Sequence, residues 1–128
     1  MKSVKTSFLS DESAFMKLKN EMFLLSLVRH PAIVKLYETV LDEQVGYQLM
    51  FMEICTGGDL LQYVRKRKRL SERVAKLFMK QLMMGLGYLH AKDIVHRDIK
   101  LENVLLTNLG EIKICDFGIS KFMTEKHK

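Results

Sequence analysis

His96-Arg97-Asp98-Ile99-Lys100-Leu101-Glu102-Asn103, followed by Val104-Leu105-Leu106 and later by Asp116-Phe117-Gly118, is the stretch on which the reading of this chain turns. By residue type it is a polar loop between a long amphipathic segment and a tight apolar hairpin. The loop places an acid, an amide and two fixed cations within a few residues of one another. A second acid, Asp116, stands at the end of the hairpin's second strand, close to a glycine that permits an unusual backbone turn. Two oxygen donors from different parts of the chain, a further carboxylate and a lysine are the groups that magnesium-assisted phosphoryl transfer requires.

At these residues the chain resembles the eukaryotic protein kinases, whose catalytic loop reads H-R-D-x-K-x-x-N and whose metal-binding turn reads D-F-G. The resemblance implies a role for each residue. Asp98 accepts the proton of the attacking hydroxyl or orients it, and Lys100 neutralises charge on the transferring group. Asn103 and Asp116 hold Mg2+ against the phosphates of ATP. His96 and Phe117 form a packed pair that links loop to turn, and Arg97 is the arginine that meets a phosphorylated activation segment. Lys100 points to the serine/threonine class, since tyrosine kinases usually carry an alanine or arginine arrangement there. The pattern between hinge and loop is most similar to the calcium/calmodulin-dependent and AMP-activated kinase branch.

Composition is compatible with this. The chain has 128 residues, 48% of them hydrophobic, enough for a real core. Its charge of +6 reads as a modest, diffuse excess that does not demand nucleic acid. Cys55 and Cys115 lack metal-ligand spacing and suit reduced thiols in a cytosolic or nuclear setting. No apolar run approaches the length of a membrane span, and no repeats or low-complexity linkers occur.

Upstream of the loop, Lys2 to Phe8 reads as a short strand in which Ser3-Val4-Lys5 is similar to the kinase V-A-I-K strand. The resemblance makes Lys5 the lysine on the α- and β-phosphates, with Ser3 in place of the usual alanine above adenine. Asp11 or Ser10 is placed to cap a helix with Phe15, Leu18, Met22, Leu25 and Val28 at helical spacing. Glu21 on this helix is the implied ion-pair partner of Lys5. A surface lysine and an exposed helical glutamate are the plainer readings of the two. Pro31 stops the helix. Ile33 to Thr39 and Tyr47 to Glu53 read as strands joined by a turn over 42–46.

Leu49 to Leu60 resembles the hinge between kinase lobes, where the backbone of Glu53 and Cys55 would bond adenine and Met52 would lie behind the base. Gly57 and Gly58 let the chain pass closely by the nucleotide, and Asp59 is placed for ribose, for an N-cap, or for both. A short helix from Leu60 runs into Arg65-Lys66-Arg67-Lys68-Arg69. That run suits a nuclear import signal or an acidic partner, although a solvated loop is the commoner meaning. Ser71 caps a long helix with Val74, Leu77, Phe78, Leu82, Leu86 and Leu89 on one face, and Met79, Met83 and Met84 read as core or near-core filling. Residues 104–106 and 112–115 form a hairpin across Asn108-Leu109-Gly110, which would put Leu105 under adenine.

The expected fold is therefore α+β and protein-kinase-like. Residues 1–53 supply a partial antiparallel small-lobe sheet with one helix, 54–58 the hinge, and 59–128 a partial helical large lobe. No glycine-rich lid precedes Lys5, and Thr124 would fall in a truncated activation segment. Two functions stay open at this point. One is a serine/threonine protein kinase region that uses ATP, Mg2+ and a protein substrate, with no specific nucleic acid and no membrane. The other is a kinase-like module that binds nucleotide or a partner without transfer, a protein partner then covering the apolar surface left by the missing lobe.

Overall fold

Three stretches of apolar periodicity and one proline set the course of the chain. In the computed structural model, residues 2–5, 12–42, 44 and 47–123 are described, the first four by their backbone. Strand β1 (Lys2–Lys5) leads to helix α1 (Glu12–Leu27), whose buried residues Leu18, Glu21, Leu24 and Leu25 recur every three or four positions. The residues expected to cap α1 lie outside the described residues. After Pro31 come β2 (Leu36–Asp42) and β3 (Tyr47–Met52). The sheet has the order β1-β3-β2, antiparallel throughout, with Lys2 opposite Met50 and Thr39 opposite the same residue on the other side.

Strand β2 begins three residues later than Ile33, where the sequence placed it. Backbone hydrogen bonding explains the difference. Val34 donates to Ile114 and Ile114 to Ala32, so residues 32–34 are taken up by a parallel bridge to the distant hairpin. The small sheet and the rest of the chain are thereby fastened together through the main chain. At the other end, β1 is described only to Lys5, and positions 6–8 of the expected strand lie outside the described residues.

Helix α2 (Leu60–Arg67) is capped by Asp59, whose Oδ1 accepts from the Gln62 amide at 2.9 Å. Helix α3 (Glu72–Ala91) is capped by Ser71 as expected, its Oγ accepting from Val74 at 3.3 Å. Then follow β4 (Ile94–Val95), a 3-10 turn (Leu101–Asn103), the hairpin β5 (Val104–Leu106) and β6 (Ile112–Ile114), and β7 (Lys121–Phe122). Strand β7 pairs with β4 and brings the end of the described chain back beside the loop at 96–103. Among the described residues no helix is long and apolar enough to cross a membrane.

The main core joins Leu18, Leu24, Leu25 and Val28 of the α1 region to Met50, Leu89, Ile94, Ile114 and Phe117. A smaller cluster of Leu60, Phe78, Val104, Leu106 and Ile112 lies under α2. Phe78, Gly85 and Leu89 are the inward face of α3. Leu77, Met79, Met83 and Met84 are between 53% and 59% exposed, which corrects their expected place in the core. They lie on the flanks and far side of a helix that packs along one stripe only.

Two glycines separate packing from propensity. A Cβ on Gly57 would stand 2.8 Å from the carbonyl oxygen of Leu106, which Gly57 itself bonds through its amide. Gly87, inside α3, has nothing within 4 Å of the same atom. Gly57→Ala is expected to lower unfolding free energy by about 1–3 kcal/mol through overpacking. Gly87→Ala is expected to raise it by up to about 1 kcal/mol from helix propensity. Urea titration of both variants checks the pair, and a stabilised Gly57→Ala protein would contradict the close approach.

Candidate active site

The loop at 96–103 is held by its own side chains and by the end of β6. His96, 1% exposed, bonds the Cys115 carbonyl through Nε2 at 2.9 Å. Its Nδ1 accepts from the Asp98 amide at 3.2 Å. An acceptor at Nδ1 requires the Nε2–H tautomer, so the ring is neutral and donates to Cys115. Burial pushes its pKa below 6.5, against the opposing pull of the Cys115 carbonyl and the carboxylates of Asp116 and Asp98. The ring meets Phe117 edge-on at 4.9 Å, the packed pair expected from sequence.

Asn103, 6% exposed, spends its amide N–H groups on Asp98, at 2.9 Å to the backbone oxygen and 3.0 Å to Oδ2. The other carboxylate oxygen of Asp98 faces Lys100 Nζ at 3.3 Å. These bonds aim the Asp98 carboxylate while leaving it partly open to solvent. The backbone oxygen of Asn103 accepts from the Cys115 amide at 3.0 Å, so Asn103 continues the β5–β6 register and stands across from the residue preceding Asp116. Asp116 is exposed and has φ of 62°, and its Oδ1 accepts from the Gly118 amide at 3.3 Å. The left-handed backbone there turns the strand into the loop and directs the carboxylate outward.

The Asp116-Phe117-Gly118 turn has a support that the residue pattern did not reveal. Asn20, on α1, directs Nδ2 at three carbonyls, those of Phe117 at 3.1 Å, Gly118 at 3.3 Å and Ser120 at 2.8 Å. Ser120, fully buried, donates from Oγ to the His96 carbonyl at 3.0 Å. Arg97 donates from Nε to the Ile119 carbonyl at 2.6 Å. In the sequence Asn20 stands out only as a poor helix former within a helical pattern. Glu21, its neighbour, is 6% exposed on the inner side of α1. The Lys5 side chain lies outside the described residues, and so does the expected pairing with Glu21. Thr124 lies outside them as well.

Around the expected hinge, the backbone is fixed from both directions. Glu53 donates to Lys35 through its amide at 2.8 Å, and its Oε2 accepts from the Lys35 amide at 3.2 Å. Its Oε1 reaches Lys113 Nζ on β6 at 2.9 Å. Gly57 donates to Leu106 and Leu106 to Gly58, and an isolated bridge joins Asp59 to Leu105. Segment 53–59 therefore spans from the small sheet to β5, and Leu105 comes beside it. Asp59 is engaged as the α2 cap, the plainer of its two readings. Burial and the Glu53 carboxylate raise the Cys55 thiol above its usual pKa, which keeps it protonated near neutral pH.

Two outcomes are expected. Asn20→Ala should cost about 1–3 kcal/mol, the scale for partly buried acceptors left without a donor. Asn20→Asp should cost more, because it sets a carboxylate against three carbonyls; equal loss in thermal unfolding would argue against the three-way bond. The His96 ring should titrate below 6.5 and remain Nε2–H at neutral pH in long-range proton–nitrogen spectra. Since its folded pKa lies below the unfolded value, the stabilisation it reports is present above about 6.5 and is lost as pH falls.

Comparison with known proteins agrees with this geometry. The family model described as protein kinase domain matches residues 1–128. The chain is 39% identical over 120 residues to NUAK family SNF1-like kinase 2 of Rattus norvegicus, covering 94% of this chain and 19% of that protein. It is 39% identical over 120 residues to CBL-interacting serine/threonine-protein kinase 8 of Arabidopsis thaliana, with 94% and 26% covered. It is 38% identical over 125 residues to 3-phosphoinositide-dependent protein kinase 1 of Arabidopsis thaliana, with 98% and 25% covered. The chain thus spans about a fifth to a quarter of the length of these relatives. Matched along its whole length, and carrying the His-Arg-Asp loop and the Asp-Phe-Gly turn in one bonded unit, this chain belongs to the protein kinase domain family.

Proposed function

We propose that this chain is the nucleotide- and metal-handling part of a serine/threonine protein kinase, which moves the γ-phosphate of ATP to a protein hydroxyl. The observation that carries the reading is the set of bonds around Asp98. Asn103 and Lys100 fix both its carboxylate oxygens, while 30% of its side chain stays accessible to an incoming group. A hydroxyl meeting this carboxylate would be oriented by it and would release its proton toward it. Lys100 stands beside the same carboxylate, where its ammonium would meet charge on the transferring phosphoryl group.

Asn103 and Asp116 suit magnesium. Both offer oxygen, the donor that a hard divalent cation takes, and the Asn103 N–H groups are already engaged, which leaves its amide oxygen as the donor atom. Among the described residues no cluster of three or more His, Cys, Asp or Glu could hold a metal by itself. Bound at Asn103 and Asp116, magnesium would supply charge neutralisation across the phosphates.

The lobe boundary belongs to the same proposal. Residues 54–58 would serve as hinge between a small-lobe part, 1–53, and a large-lobe part, 59–128. The backbone of Glu53 and Cys55 presents the donor and acceptor for adenine, Leu105 lies under the base and Asp59 near the ribose. By the resemblance, Lys5 is the proposed phosphate lysine and Glu21 its proposed partner. Lys100 supports serine or threonine as acceptor, and the printed name of one relative, CBL-interacting serine/threonine-protein kinase 8, agrees with that class.

Asp116→Ala should weaken magnesium-dependent nucleotide binding and turnover together. Asp98→Ala should leave nucleotide binding nearly intact and slow transfer about a hundredfold or more. Fluorescent-nucleotide titration with and without Mg2+, together with γ-phosphate transfer to a serine- or threonine-bearing peptide, measures both. Equal loss of nucleotide affinity in the two variants would contradict the division of roles. A chain that binds Mg-ATP and transfers nothing would support the binding-module reading instead.

A further inference from the structure

The charge excess is not diffuse, contrary to the expectation from composition. Between Arg65 and Lys80 stand eight lysines and arginines and one acid, Glu72, while the thirteen cations elsewhere meet fourteen acids. The whole positive balance of the chain resides in this segment. The fold bends it around a groove of about 640 Å³ between the C-terminal end of α2 and the N-terminal end of α3, lined by Tyr63, Arg67, Arg69, Leu70, Ser71 and Val74.

The groove has a fixed apolar floor and a cationic rim. Tyr63, Leu70 and Val74 are half-buried against the cluster that holds Phe78, and the Tyr63 ring meets Phe78 edge-on at 5.6 Å. Arg67 lies over the Tyr63 ring at 4.5 Å, which limits where its guanidinium can go. Along the outer side of α3, Arg73, Lys76, Leu77 and Lys80 recur at helical spacing and border a second hollow of about 540 Å³. The one acid in the segment, Glu72, is paired to Lys76 at 2.6 Å.

We propose that this groove docks an acidic peptide segment of a partner protein. Its carboxylates would meet the forks of Arg67 and Arg69, and an apolar side chain would rest on Leu70 and Val74. Arginine matches carboxylates in paired hydrogen bonds, and a concave apolar floor beneath the rim gives the segment an anchor. A nucleic acid strand would use the cations but needs an open aromatic face for its bases, and Arg67 already covers that of Tyr63. None of the groove residues belongs to the loop at 96–103 or the turn at 116–118, so this docking is independent of phosphoryl transfer.

Fluorescence anisotropy with a short labelled peptide of glutamates around one leucine tests the proposal. The chain should bind it, and should bind the same peptide with serine for leucine more weakly. The Arg67→Ala and Arg69→Ala double variant should lose about tenfold or more in affinity, as expected for charge-assisted bonds. Lys92→Ala, outside the segment, should bind as the unaltered chain does. On the unaltered chain, a photo-crosslinker at the leucine position should attach within residues 63–74. Absence of peptide binding, equal loss in Lys92→Ala, attachment elsewhere, or tighter binding of oligothymidylate would each overturn the proposal.

Discussion

Both backbone groups of Cys115 are claimed by the loop that precedes the hairpin, and the geometry of the site depends on that double hold. The carbonyl receives His96 Nε2–H and the amide donates to the Asn103 oxygen. One peptide position therefore fixes the beginning and the end of the loop that presents Asp98. It also sets the residue from which Asp116 leaves the strand. A displaced Cys115 backbone would move the proposed base and the proposed metal ligand together. The Cys115 thiol strengthens the hold, since Sγ reaches the same Asn103 oxygen at 3.5 Å.

The hold works only with a neutral imidazole. Protonated His96 would present a second N–H to the Asp98 amide, donor against donor, in a place where burial already disfavours charge. Phe117, fully buried, supplies that apolar surrounding and is itself packed with Leu18, Leu24 and Leu25 of α1. Helix α1 thus acts on the site twice, by burying Phe117 and by offering Asn20 to the carbonyls that follow it. A helix remote in sequence from the Asp116 turn consequently governs its position. Movement of α1 away from the main core would release both supports at once.

The loop and the turn could be read from sequence because their residues match the protein kinase patterns H-R-D-x-K-x-x-N and D-F-G. The helices could be read because their apolar residues recur with the helical period, and the caps at Asp59 and Ser71 follow from local bonding. What escaped depends on contacts between distant parts of the chain. Asn20 bonds carbonyls about a hundred residues away, and carbonyls leave no trace in residue identity. Ile33 is apolar and β-branched, as a strand residue should be, but its neighbours bond to Ile114 before β2 begins. Met79, Met83 and Met84 fit a core by composition, and only the packing direction of α3 shows that they face outward.

Glu53 shows why a carboxylate can occupy a position whose proposed work belongs to the backbone. Its side chain is turned from the strand end toward Lys113 and the Lys35 amide, where both oxygens find partners. Lys113 is 9% exposed, so removing either charge would leave the other poorly solvated, a larger loss than the pair contributes by attraction. The pair joins the end of β3 to β6, the strand that delivers Asp116. The segment proposed to read adenine and the strand proposed to deliver the metal ligand are thus referenced to each other through one ion pair. A hinge held only by its main chain could slide along β5. Anchored through Glu53, the proposed hinge keeps a fixed distance from the turn, which would hold a nucleotide seated there in one position relative to the proposed base, Asp98.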